Sequence, residues 1–327
     1  MAPETMSKNR MWHLEALMFL CALAVTGFAW MAQARSRTGP QIVAETDLVV
    51  LPVRVTDVSG NFVPGLGQEQ FRVFENNRRQ EITLFRQEDV PVAVGLVVDH
   101  SRSMGPKLPA VAQAVVAFAH SSNPDDEMFV VDFSDHVAIE EPGGKPFTQD
   151  PRMLGQAVSA VSAQGMTSLY DAVMAALDHL RLSTLEKKAL IIVSDGGDNA
   201  SAAKYADVLD WARRSQVLIY AIGLVGAGEQ ADENPGLLRR ICNDTGGLAF
   251  FPAEKDSVLD VSARIARDLR EQYTVGFSPA RREGDSFRRV KVDVTAPRRG
   301  KLQVRTRPGF FPPGRDQPSL NAGDPRS

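Results

Sequence analysis

Val92-Ala93-Val94-Gly95-Leu96-Val97-Val98-Asp99-His100-Ser101-Arg102-Ser103 decides how the rest of the chain is read. The first seven residues carry no polar side chain, which matches a strand buried on both faces of a parallel sheet. The run stops at an acid, and an acid and two hydroxyls then occupy alternate positions. In an open α/β sheet, ligands gather in the crevice beyond the carboxyl ends of the strands. This strand end is therefore the first place to look for function.

The same grammar recurs downstream. Residues 106–119 read as a helix with Pro in its first turn, 128–133 as a strand, and 153–163 and 168–182 as helices. A second apolar strand covers 189–193. A helix over 205–214, a strand over 217–222, a helix over 235–242, a short strand over 248–251 and a helix over 257–271 complete the series. This alternation predicts an α/β domain over residues 91–272, with an open, doubly wound, mostly parallel sheet.

Period-two patterning appears on both sides of that domain. Val49, Leu51, Val53 and Val55 alternate with Val50, Pro52, Arg54 and Thr56, and Asp57-Val58-Ser59-Gly60-Asn61 closes the run as a turn. Phe71 and Val73, then Ile82 and Leu84, flank Glu75-Asn76-Asn77-Arg78 as a hairpin. Beyond Gln272, Tyr273, Val275 and Phe277 form one set, Val290, Val292 and Val294 a second, and Leu302 and Val304 a third. Three strands on either side are too few to stand alone. Residues 46–90 and 273–311 are therefore expected to form one β-sandwich into which the α/β domain is inserted. The basic side chains crowded between Arg281 and Arg307 read as a solvated sheet face, with a surface for acidic glycans or anionic lipid as the sharper alternative. Residues 312–327, rich in Pro, Gly and Asp, read as a disordered tail.

Composition bounds the function. The 327 residues are 43% hydrophobic and carry 37 basic against 40 acidic side chains. That balance lacks the basic excess of a nucleic-acid binder. Two cysteines, Cys21 and Cys242, exclude a disulfide scaffold and a thiolate zinc site. Lys8 and Arg10 precede an apolar run over 16–32 that ends in Ala32-Gln33-Ala34, so residues 1–34 read as a signal peptide or an N-terminal membrane anchor. A linker over 35–45 follows. The rest is then exported, periplasmic or at the cell surface, and meets the membrane only through its N-terminal segment. Cys242 is left alone there, with no intrachain disulfide to form, and reads as a small buried hydrophobe.

The apolar strand over 189–193 runs into Ser194-Asp195-Gly196-Gly197, and Gly165-Met166-Thr167-Ser168-Leu169 opens an intervening helix. Asp99, Ser101, Ser103, Thr167 and Asp195 thus become candidate metal ligands. An all-oxygen, hydroxyl-rich set suits Mg2+, with Ca2+ or Mn2+ as substitutes. Asp99, His100 and Ser101 supply the chemical parts of a hydrolase triad, but sequence neighbours point in different directions and no G-x-S-x-G elbow occurs. No catalytic residue is assigned.

The D-x-S-x-S element after the first strand, the Thr opening a later helix and the S-D-G element after a central strand resemble the metal-ion-dependent adhesion site of von Willebrand factor type A domains. Phe133-Ser134, Tyr220-Ala221-Ile222-Gly223 and Thr245-Gly246-Gly247 add to the likeness, which spans about residues 91–272. The flanking Phe71-Arg72-Val73-Phe74-Glu75, Gln80-Glu81-Ile82, Tyr273-Thr274-Val275-Gly276-Phe277 and Pro308-Gly309-Phe310 resemble a bacterial group of exported relatives. The resemblance implies a Rossmann-like domain whose metal ion completes its coordination with a carboxylate from a protein partner. The expected function is a metal-dependent adhesion or assembly module of the cell envelope and not an enzyme. The alternatives are a structural envelope component whose metal only stabilises the fold, and a hydrolase. His100 and Arg102 fill the variable positions of the first loop, the second often a smaller residue in relatives, and are expected at the partner-binding rim.

Overall fold

The computed structural model describes residues 48–225, 233–252, 257–279 and 286–312. The expected leader or anchor, the linker and all of the expected tail after Pro312 lie outside them. Among the described residues no helix is long and apolar enough to cross a membrane.

The first apolar run forms β5 (Val92–Asp99), and every residue of it is buried. Parallel neighbours flank it: β6 (Glu127–Phe133) on one side and β8 (Lys187–Ser194) on the other. Beyond β8 come β9 (Leu218–Gly223) and the short β10 (Ala249–Phe250), also parallel. β7 (Val137–Glu140) closes the opposite edge and runs antiparallel to β6. The order is β10-β9-β8-β5-β6-β7. This mixed α/β architecture, with a central, mostly parallel sheet between helices, is the one expected from the alternation. β7 is an addition to that expectation, because four residues are too short a run for alternation to register.

Strand parity divides the core. Val92, Val94, Leu96 and Val98 pack with α1 (Leu108–His120), α2 (Pro151–Ala160) and α6 (Val258–Arg270). Ala93 and Val97 face α3 (Leu169–His179), α4 (Tyr205–Ser215) and α5 (Pro235–Thr245). Cys242 is a free, fully buried thiol on α5, and burial pushes its pKa up. It behaves as the small hydrophobe expected.

The remaining strands form two four-stranded antiparallel sheets, each drawing on segments before and after the α/β region. One joins β1 (Val49–Thr56), β4 (Leu84–Arg86), β11 (Tyr273–Phe277) and β13 (Gln303–Arg305) in the order β13-β1-β11-β4. The other joins β2 (Phe71–Glu75), β3 (Arg78–Gln80), β12 (Arg288–Val294) and β14 (Gly309–Phe310) in the order β14-β12-β2-β3. Val49, Leu51 and Val53 of the first share one hydrophobic cluster with Phe71, Val73 and Val290 of the second. The hairpin differs from its sequence reading. Asn76 and Asn77 take φ of 46° and 64° and pair Glu75 with Arg78, so the polar β3 is the return strand. Leu84 belongs to β4, which pairs with β11 in the other sheet.

The basic stretch is also less solvated than expected. Arg288 is buried and donates to Glu75 Oε1 at 2.9 Å. Arg307 is buried and donates to the Val50 carbonyl at 2.9 Å. Arg305 donates to Asp268 of α6, as does Tyr220 of β9 at 2.6 Å, while Arg54 of β1 meets the same carboxylate at 2.7 Å. Asp268 thereby ties the first antiparallel sheet to the α/β region. Removing one partner from a buried charge cluster strands the others, at a cost of about 3–5 kcal/mol. Asp268→Ala is expected to lose stability on that scale in urea unfolding, well beyond the loss from Asp293→Ala at a half-exposed position of β12.

Lys187, at the start of β8, donates to the Leu269 carbonyl, and burial pushes it down to about 8 from 10.5. Between those values the unfolded chain binds the extra proton, so stability rises with pH across that window. Urea midpoints at pH 7.5 and 10 should show this rise in the wild type and a smaller one in Lys187→Met.

Candidate metal centre

From β5 the chain crosses to β6 and then β7 on one side; from β8 it crosses to β9 and then β10 on the other. The connections leave in opposite directions, which opens a crevice at the carboxyl ends of these two strands. Asp99 ends β5. Asp195 follows Ser194, the last residue of β8. Neighbouring strands in register thus deliver two acids to one crevice.

Hydroxyls join them. Ser194 Oγ donates to Asp99 Oδ2 at 2.7 Å, and Ser101 N donates to Asp99 Oδ1 at 2.8 Å. Ser101 Oγ lies 3.1 Å from Ser103 Oγ, which donates to Asp195 Oδ2 at 2.7 Å. Burial holds the Asp99 carboxyl above its ordinary range against the opposing pull of Ser101 and Ser194, and the negative charge of Asp195 adds to the rise. Neither acid has an ion-pair partner among the described residues.

Gly196 turns the chain out of the crevice at a φ of 88°, and a Cβ there would lie 2.6 Å from the Asn234 carbonyl oxygen. Thr167 is buried on a neighbouring loop whose backbone is held by side chains. Its N donates to Asn199 Oδ1 at 2.8 Å, while Asn199 N donates back to the Thr167 carbonyl at 2.9 Å. The loop joins the first one through Gln164 N on the His100 carbonyl at 2.8 Å.

A model of the von Willebrand factor type A domain matches residues 94–264, just over half of the sequence. The chain belongs to this family. Among solved structures, a von Willebrand factor type A protein from Catenulispora acidiphila is 13% identical, with a TM-score of 0.50, over 79% of this chain and 70% of that one. An aerotolerance-related membrane protein from Bacteroides fragilis is also 13% identical, with a TM-score of 0.45, over 55% and 99%. The von Willebrand domain of the type V pili tip protein Mfa5 from Porphyromonas gingivalis is 15% identical, with a TM-score of 0.44, over 54% and 95%. No curated protein matches the chain.

Within this type A domain the donors fit a hard divalent cation. Two buried carboxylates share a crevice with hydroxyls, and no cationic side chain among the described residues pairs with either, which leaves a negative site for an ion to neutralise. Among the described residues no group of three or more His, Cys, Asp or Glu side chains is placed to hold a metal. Any cation held here would therefore have to draw on the hydroxyls. Asp99, Ser101, Ser103 and Asp195 are joined by hydrogen bonds, and Thr167 stands on the adjoining loop.

His100 departs from expectation. Its side chain is buried, with Nδ1 3.3 Å from the Val98 carbonyl and Nε2 3.0 Å from the Val158 carbonyl of α2, so it cannot form part of a rim. Parity explains this, because His100 continues the inward face that carries Leu96 and Val98. Asp132 comes within 3.2 Å of Nδ1 without the alignment of a hydrogen bond, and burial, then Glu140, push its carboxyl up to about 8. Arg102, beyond the end of the strand, is exposed. Sequence reasoning does not single out Ser194 as the donor to Asp99, or Asn199 as the brace of Thr167. Ser194 is legible in principle as the hydroxyl beside Asp195; Asn199 carries no local signal.

Asp99→Asn keeps the shape of the side chain and removes one of two like charges. In chelator this variant is expected to be more stable than wild type by about 1 kcal/mol, read from urea unfolding.

Proposed function

We propose that the domain is a cation-dependent protein-binding module of the cell envelope, exported by its N-terminal segment and used in adhesion or assembly. The observation that carries this reading is the pair of buried carboxylates at the switch point of the sheet, each accepting from a serine hydroxyl, Asp99 from Ser194 and Asp195 from Ser103. Asp99, Ser101, Ser103, Thr167 and Asp195 would hold the ion, with Mg2+ the best match and Ca2+ or Mn2+ as substitutes. Two aspartates balance a divalent charge formally and the hydroxyls add none. The ion therefore keeps its attraction for an incoming carboxylate, and a partner's Asp or Glu would complete the coordination.

A hydrolase is disfavoured by the same geometry. Ser101 Oγ faces Ser103, and His100, the nearest candidate base, is buried with both nitrogens against carbonyl oxygens.

The test is capture of partners from envelope extract by the immobilised chain, first with Mg2+ and then with chelator. Retention should require Mg2+ and disappear in Asp99→Ala and Asp195→Ala, with circular dichroism showing both variants folded. Capture that survives chelation would falsify the proposal. A melting temperature that falls on chelation while capture persists would favour the structural alternative.

A further inference from the structure

The crevice has a rim with its own chemistry. Five large apolar side chains are exposed among the described residues, and one of them, Met166, 53% exposed, directly precedes Thr167. Loop mobility does not explain its exposure, because each residue from Gln164 to Thr167 is pinned. Gln164 N donates to the His100 carbonyl, the Gly165 carbonyl accepts from Arg102 N at 3.5 Å, Met166 N donates to Asp135 Oδ1 at 2.8 Å, and Thr167 N donates to Asn199. Gly165 takes a φ of 76°, and a Cβ there would stand 2.1 Å from Asp135 Oδ2, so the loop closes tightly on that carboxylate. The thioether is therefore held out over a fixed backbone at the edge of the crevice.

Arg102 borders the same edge. Ser101 and Ser103 on either side of it turn toward the carboxylates, and the guanidinium is exposed with no acid partner among the described residues. Once a divalent ion balances the two aspartates, the Arg102 guanidinium still presents a positive group at this edge, while the Asp135 carboxylate on the other side of the rim is engaged by Met166 N. A single carboxylate from a partner would satisfy the ion alone.

We infer that the rim selects a protein segment presenting two acidic side chains and an apolar one, the first acid for the ion, the second for Arg102 and the apolar group against Met166. This inference rests on the metal reading above and adds the partner's sequence character. A flexible, polarizable thioether accommodates several apolar shapes, so the segment is specified by class, acidic-apolar, and not by one residue. The exposed charge acts chiefly by steering, which makes association salt-sensitive.

The experiment is selection of a displayed random-peptide library on the full chain in Mg2+, followed by calorimetric affinities of an enriched peptide. Enrichment of paired acids beside Leu, Ile, Phe or Met is expected. Met166→Glu should weaken that peptide about tenfold. Arg102→Ala should weaken it about three- to fivefold, with the difference shrinking at high salt. Stabilisation by Mg2+ alone, read as a thermal shift, should not fall in either variant. Enriched peptides that need Mg2+ but bind both variants like wild type, or enrichment without the acidic-apolar pattern, overturn this inference and leave the metal reading standing. Peptides held equally well in chelator overturn the metal reading and this inference with it.

Discussion

Two buried carboxylates forced into one crevice are the constraint on which the domain turns. Asp99 and Asp195 meet because β5 and β8 are hydrogen-bonded neighbours in parallel register, and Val98 pairs with Val193 just before the acids. Asp99 is the last residue of β5, and Asp195 follows directly on the end of β8. The protein answers the resulting repulsion locally, with Ser194 and Ser101 on one carboxylate and Ser103 and Gly197 N on the other. Neutral donors moderate the charge without cancelling it. Under the proposed reading, a site built this way would attract a cation and leave it reactive, whereas a lysine or arginine in the crevice would have quenched it.

The rest of the fold supplies rigidity to that crevice from outside. The loops above the sheet hold one another through side-chain braces, with Asp171 accepting from Ala202 N and Ala203 N at 2.8 Å and Asp198 accepting from Tyr170 N at 3.1 Å. At a separate junction, Asp268 gathers Arg54, Arg305 and Tyr220, and Arg54 also donates to the Glu271 carbonyl at 3.1 Å. The outward-facing arginine of β1 is thus turned into a fastening between a sheet and a helix. Its apolar neighbours Val53 and Val55 serve the opposite face.

Much of the α/β architecture is legible because buried parallel strands write themselves as unbroken apolar runs. The acids are legible because they end those runs. What escapes notice does so for physical reasons. The partners of Arg288 and Arg305, Glu75 and Asp268, are distant in sequence, and a count of charges ignores which face each arginine occupies. Arg288 shares its parity with Val290 and Val292, which already marks it as inward. His100 is misplaced by the same neglect of parity. Asn199 braces Thr167 across 32 residues, a contact that only the folded chain brings about. The hairpin reading follows the apolar residues Ile82 and Leu84, while two asparagines in the left-handed region set the register earlier.

Strand β1 pairs at Val49 with Phe277 and at Val55 with Val304, so its hydrogen-bonding partners are made last. The α/β region between them has its own strands and two apolar faces complete before those partners exist. On a chain made or threaded from its N-terminal side, Leu51 and Val53 stay uncovered through most of that passage, an open edge of the kind that recruits other chains. Closure of the outer sheets is thereby a late, long-range step.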